Sequence, residues 1–82
     1  MKLPLYERVA LTRDVGEHGL MKGDIGVLVD YLTHPQGGEE GAVLEVFNAL
    51  GESIAVIAVP VSDFEPMRAD EVLAVRPLAK AG

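Results

Sequence analysis

Two unlike halves make up the stretch from Glu17 to Leu32, which reads EHGLMKGDIGVLVDYL. The first half is polar and glycine-rich, and the second is an almost unbroken β-branched and aliphatic run that begins around Gly26. A glycine-rich loop cradles a phosphate when its backbone N–H groups lead into the N-terminus of a helix. Here the residues that follow have strand character. The glycines are therefore interpreted as bending the chain, with Gly23 in a turn and Gly26 in a curled strand.

Apolar runs separated by turn residues extend outward from this stretch on both sides. Within the central run, Ile25, Val27, Val29 and Tyr31 are expected on one face by strict alternation. The connections Arg13–Met21, Thr33–Gly41 and Asn48–Glu52 are polar or glycine-containing, as is typical of loops and hairpin turns. The pattern predicts four strands, which are Tyr6–Thr12, Asp24–Leu32, Ala42–Phe47 and Ser53–Val59.

The last part of the chain follows Pro60, which cannot donate a hydrogen bond to a strand ladder. Val61–Pro66 is predicted to form one turn of 3-10 helix and a short extended piece, with the Ser62 hydroxyl capping the turn. The segment Glu71–Pro77, EVLAVRP, is interpreted as a last strand, and a short helix beginning at Asp70 is the alternative.

Short strands at close spacing with tight turns predict an all-β fold, namely a small antiparallel β-barrel of about five strands with one 3-10 turn. A barrel also removes the exposed sheet edges that a small β protein would otherwise present. The 82 residues leave room for one domain, 1–82, with a core of about residues 5–78.

The fourth predicted strand, Ser53–Val59, reads SIAVIAV and is apolar on both faces. A strand of a small barrel should show one face to water, so either the C-terminal tail or another subunit is expected to cover it. The alternative is an alanine-rich strand tolerated at the surface. We expect this strand to mediate a homo-oligomer.

Composition and charge exclude several classes of function. The absence of cysteine excludes disulfides, thiolate zinc sites and cysteine nucleophiles. Thirteen acidic and seven basic residues give a net charge of −6, which repels nucleic acids and anionic membranes. The basic residues are dispersed, so a nucleic-acid-associated barrel is the least favoured alternative. The N-terminus MKLPLYERV has no apolar run typical of a signal peptide, and a cytoplasmic location is expected.

Several motifs occur in an order that resembles a known family. They are LYERVALT, then EHGL with KGDIG, then NALGESIAVIAVPVSDFEP. Their sequence is similar to that of a family of small bacterial proteins known as a domain of unknown function, whose members look like SH3-like β-barrels. The resemblance implies that fold over about Leu5–Leu78, assigns no catalytic residue, and implies at most an accessory or immunity-type role beside another bacterial protein. The matching positions are His18, Gly19, Leu20, Gly23, Asp24, Gly26, Ser62, Asp63, Phe64 and Pro66.

Two loops carry the side chains best suited to binding or catalysis, and each combines a histidine with acids. The first histidine loop lies around Asp14–Gly19, and the second is His34–Gly41. A shared metal site would be possible if both loops lay at one end of a barrel, but solvated loop histidines are the preferred interpretation. Adjacent loop carboxylates do not create the two environments that acid–base catalysis requires, and no nucleophilic triad is suggested. We therefore expect no catalytic residue, no cofactor and no metal.

Loops carry function on rigid scaffolds, and an acidic rim suits a basic protein partner. The sequence therefore predicts a non-enzymatic protein-interaction module. A polyproline site of the SH3 type is disfavoured, because the chain lacks tryptophan and two tyrosines make a poor aromatic shelf. The predicted partner-binding residues are Asp14, Glu17, His18, His34, Glu39 and Glu40.

Overall fold

The computed structural model describes residues 2–34 and 36–78, which form β-strands joined by turns. Within this part of the chain, no helix is long and apolar enough to cross a membrane. Two 3-10 turns are present, η1 (Gly16–His18) and η2 (Val61–Asp63). The strands are β1 (Arg8–Leu11), β2 (Ile25–Leu32), β3 (Gly41–Phe47), β4 (Ser53–Pro60) and β5 (Phe64–Pro66).

All five strands belong to one antiparallel sheet with the order β4-β3-β2-β1-β5. The first four strands follow one another as a meander, and β5 returns to pair with β1. The all-β prediction and the number of strands are confirmed, but the fifth strand is β5 and not the predicted Glu71–Pro77. The ladders of residues 2–34 and 36–78 leave β4 and β5 as the two edges, so the sheet is not closed and a barrel is not confirmed. The predicted turn at η2 is present, and η1 is a second one inside the polar connection before β2.

A β-bulge in β2 changes which side chains face the core. Leu28 pairs with Leu44, but the register then shifts, and Tyr31 pairs with Ala42. An extra residue on one strand reverses the alternation beyond it. Strict alternation placed Tyr31 on the face opposite Leu28, whereas both side chains contact the core. That expectation is wrong, because a period of two does not reveal a bulge.

The core is built from aliphatic side chains and one phenylalanine. Leu28, Leu44 and Val9 are its largest fully buried side chains. The N-terminal segment closes one side of it, where Leu3 packs against the core and its carbonyl accepts a 2.8 Å hydrogen bond from the Tyr31 hydroxyl. The buried apolar set is Val9, Ala10, Leu11, Leu20, Leu28, Ala42, Leu44, Val46, Ile57, Val59 and Phe64.

The predicted last strand, Glu71–Pro77, is wrong: residues 71–78 form neither strand nor helix. Propensity alone does not create a strand without a neighbour to pair with, and both faces of this tail meet solvent. Val72 is 91 % exposed. The tail also leaves the outer face of β4 uncovered, since Val56 remains 60 % exposed.

Candidate functional site

The first histidine loop, between β1 and β2, is a compact hairpin of its own. Val15 and Leu20 form an isolated antiparallel bridge, and Leu20 is anchored in the core with 2 % exposure. Gly19 ends η1 in the left-handed region at φ 69°, which a glycine adopts without strain. The Asp14 carboxylate accepts a 2.9 Å hydrogen bond from the Lys22 N–H. The bridge, the buried Leu20 and the Asp14 hydrogen bond therefore fix the loop locally.

An arginine from the C-terminal tail fastens the end of this loop. The Arg76 guanidinium donates to both oxygens of Asp24 and, at 3.1 Å, to the Gly19 carbonyl. Burial alone would raise the pKa of Asp24, but hydrogen bonds from Arg76 and the Met21 N–H outweigh it and lower the pKa below its ordinary value. A contact across 52 positions of sequence therefore holds the loop where β2 begins.

The acids of the second histidine loop, between β2 and β3, serve the fold. The Glu39 carboxylate accepts hydrogen bonds from the Ser62 N–H at 2.8 Å and from the Ser62 hydroxyl at 3.1 Å. Glu40 forms an ion pair with Lys2 at 2.6 Å. His34 Nδ1 accepts a 3.1 Å hydrogen bond from the Gln36 N–H. These three predicted partner-binding residues therefore have bonding partners within the chain.

Capping of η2 also differs from the sequence-based prediction. Ser62 lies inside the turn, and Pro60 occupies the N-cap position without a side-chain hydrogen bond. The carboxylate of Glu39 accepts from Ser62 instead. The prediction that the Ser62 hydroxyl caps the turn is wrong, because this hydroxyl donates to Glu39, in a loop distant in sequence.

Residues at the ends of both loops contact η2, but the two histidines are not brought into a shared site. Thr12 N–H donates to the Asp63 carbonyl at 2.8 Å, and the Thr12 hydroxyl donates to the Ser62 carbonyl at 2.9 Å. Glu39 reaches the same turn from the other side. Among residues 2–34 and 36–78, no group of three or more histidine, aspartate or glutamate side chains is placed to hold a metal ion.

An open groove lies between the first histidine loop and the edge strand β4. Its volume is about 560 Å³, and it is lined by Arg13–His18, by Val56–Pro60 and by Asp63. We call this site the β4 groove. Three predicted partner-binding residues line it together, namely Asp14, Glu17 and His18, whereas His34, Glu39 and Glu40 do not.

The β4 groove is acidic, and its most buried acid, Asp63, was missed by the sequence-based prediction. Asp63 is only 9 % exposed, and no hydrogen bond to its carboxylate is formed within the described residues. Its nearest cation is the Arg13 guanidinium at 3.8 Å, beyond hydrogen-bond distance. No side-chain oxygen in the described residues is both buried and without a partner, so the Asp63 carboxylate keeps some solvent-accessible surface where the residue lines the groove. Its place in the family-like motif VSDFEP was the available signal.

A smaller groove of about 370 Å³ lies between the N-terminal segment and the β1–β5 edge. Tyr6 lines it and is 73 % exposed, while its charged lining residues, Glu7 and Arg8, balance each other. The second tyrosine does not join this surface, because Tyr31 packs against the core with Lys2 Nζ 4.8 Å from its ring centre. The two tyrosines therefore form no common aromatic shelf.

These features define a class: a small all-β domain with an open five-stranded sheet and an acidic groove beside an edge strand. Residues 5–66 match the family described as domain of unknown function DUF4926. The chain belongs to this family. The search of the curated proteins and the search of the solved structures found no match to the chain. The family match ends before the tail, so Arg76, which fastens the first histidine loop, lies beyond the matched residues.

Proposed function

We propose that the protein is a non-enzymatic interaction module that binds a basic protein through the β4 groove. The observation that carries the proposal is the charge of the groove, where the described lining residues include three acids, Asp14, Glu17 and Asp63, and one cation, Arg13. The groove is negatively charged, as is the whole protein, whose net charge is −6. This charge raises the encounter rate with a basic partner and disfavours acidic competitors.

Of the acids in the two loops, Glu17 is the best suited to meet a partner. It is exposed, and no hydrogen bond or ion pair occupies its carboxylate within the described residues. Glu39 and Glu40, by contrast, would have to break internal bonds to contact another protein. The proposed contact surface therefore centres on the first histidine loop, with His34, Glu39 and Glu40 supporting the fold behind it.

The test is affinity capture with the tagged protein at moderate salt, with and without nuclease. One stoichiometric basic protein that resists nuclease supports the proposal, and its binding should weaken with rising salt. Glu17→Lys should abolish or strongly reduce capture. Glu65→Lys is the matched control, because Glu65 is an exposed glutamate on β5, away from the groove. Equal capture by both variants would refute the assignment of the groove.

A second candidate function is self-assembly through β4. It is favoured by the apolar outer surface of the hairpin, where Phe47, Ile54 and Val56 are 40 %, 40 % and 60 % exposed. Analytical ultracentrifugation decides between the candidates. A dimer that Val56→Glu dissociates supports self-assembly, whereas a monomer over the whole concentration range refutes it.

The finer parts of the proposal rest on resemblance and composition. They are a closed SH3-like barrel, a bacterial source, a cytoplasmic location and an accessory or immunity-type role beside another protein. A nucleic-acid-associated role is the least supported alternative, and it requires binding to DNA or RNA that falls as salt rises.

A further inference from the structure

The free edge of β4 presents backbone groups whose direction can be derived from its ladder with β3. The Val61 N–H donates to the Glu40 carbonyl at 3.0 Å, directly beyond the register pair of Gly41 with Pro60. Antiparallel pairs alternate between hydrogen-bonded and non-hydrogen-bonded. The N–H and C=O groups of Val56 and Ala58 therefore point away from β3, toward the β4 groove.

This edge is unpaired within the described residues. Among the described strands β4 has β3 as its only neighbour, and the described first histidine loop forms no backbone hydrogen bond with it. An edge of this kind is a template for an added strand. Pro60 closes one end of the strand, because it has no N–H to offer.

The groove also holds a specific acceptor for a cation. The Asp63 carboxylate lies just beyond the Pro60 end of β4, is largely buried and has no hydrogen bond within the described residues. Arg13 offers only a 3.8 Å ion pair and is itself 69 % exposed. A lysine or arginine head entering the groove would give Asp63 a charge-assisted hydrogen bond that the chain itself does not supply.

We propose that the β4 groove binds an extended, basic segment of another protein by strand addition to β4, with one lysine or arginine of that segment accepted by Asp63. The inference rests on the proposed function and adds the binding mode and the residue that determines specificity. Charge complementarity selects the occupant. A second copy paired through β4 would bring two acidic grooves together, which like-charge repulsion disfavours.

The probe is the blocked peptide KTKVKTKV, with eight residues to match the eight of β4, and ETEVETEV is its charge-reversed control. Backbone amide chemical shifts of the full chain are followed by NMR during titration. We expect the lysine peptide to shift the amides of residues 56–60 and 13–18, with affinity that falls as salt rises. No binding, equal binding of the acidic peptide, or shifts confined to other surfaces would overturn the proposal.

Two pairs of variants separate strand addition from simple charge attraction. Ala58→Pro removes one outward N–H but no bond of the β3–β4 ladder, and an edge strand tolerates proline there; Ala58→Thr keeps the N–H and is the control. Asp63→Asn removes the acceptor charge, and Asp70→Asn removes the charge of an exposed acid in the tail. Ala58→Pro and Asp63→Asn should each weaken peptide binding by about tenfold or more, and the controls should leave it within about twofold.

The outcomes also separate this inference from the proposed function. If Ala58→Pro fails to fold, the peptide N-methylated at alternate residues replaces it, and this peptide should not bind. A captured basic partner whose binding depends on Glu17 but not on Asp63 or the Ala58 N–H would overturn strand addition and leave the proposed function standing. A dimer of the free protein that Ala58→Pro dissociates would overturn the choice of occupant, because the edge would then pair with a second copy.

Discussion

The two histidine loops look alike in sequence and differ in what their acids do. In the first, the Glu17 carboxylate forms no hydrogen bond or ion pair within the described residues, and the loop lines an open groove. In the second, Glu39 accepts two hydrogen bonds from η2, and Glu40 pairs with Lys2. Acidic composition alone therefore does not identify a binding surface. What identifies it is an acid that the fold does not use.

One sheet with a packed core carries both loops, so substitution of a core residue in that sheet is expected to have the largest effect on stability. Leu28 is fully buried in β2 between the two loops. Leu28→Ala should lower the free energy of unfolding by about 2–5 kcal/mol, because it removes buried methyl groups and leaves a cavity. Chemical denaturation measures it. Leu50→Ala, at a residue 85 % exposed, should change stability by less than about 0.5 kcal/mol, and similar losses for both would contradict the assigned core.

Matched substitutions of the two glutamates test the comparison itself. Glu39→Ala removes a carboxylate that accepts two hydrogen bonds and should destabilise the protein by about 1 kcal/mol. Glu17→Ala should alter stability by less than about 0.5 kcal/mol, while reducing capture of the basic partner. Thermal and urea unfolding of both variants supply the measurement. A reversed order of stability would mean that the roles of the two loops have been exchanged.

The contribution of the Arg76–Asp24 ion pair to stability is expected to depend on pH. Because folding lowers the pKa of Asp24, its ion pair with Arg76 contributes stability at neutral pH, and this contribution is lost as pH falls through the lowered pKa. The stability difference between the protein and Arg76→Gln should therefore be present near neutrality and shrink in acid, below the ordinary pKa of an aspartate. A difference that grows on acidification would contradict the sign.

The smallest effect is expected for the ion pair of Glu40 with Lys2. The Lys2 side chain is 63 % exposed, so solvent and salt screen the pair. Glu40→Gln should destabilise the protein less than Glu39→Ala does, and the loss should disappear at about 1 M salt. Unfolding measured at low and high salt tests this. A loss that persists at high salt would show that Glu40 acts through packing.

Much of the fold was predictable from local patterns. The strands around Ile25–Leu32 and Gly41–Phe47 follow from alternating apolar residues bounded by turn residues, and η2 follows from the residues after Pro60. The bulge in β2 was not predictable, because it depends on pairing with β3. The tail was misjudged for a related reason, since a β-prone segment without a neighbouring strand to pair with stays irregular.

The candidate site was predictable in part. The first histidine loop was singled out for its acids, and it does line a groove. Asp63 belongs to the motif VSDFEP, but the sequence does not indicate its role, because its burial and the lack of a hydrogen bond to its carboxylate within the described residues arise from tertiary packing. The structural roles of Glu39 and Glu40 could not be predicted either, since their partners, Ser62 and Lys2, are distant in sequence.

Carbodiimide cross-linking of the captured complex can show which of the two histidine loops faces the partner. The reagent joins carboxylates to lysines only where they touch, so the modified acids report which loop faces the partner. We expect cross-links from partner lysines to Asp14, Glu17 or Asp63, located by mass spectrometry of the digested complex. Cross-links at Glu39 or Glu40 with none in the β4 groove would contradict it.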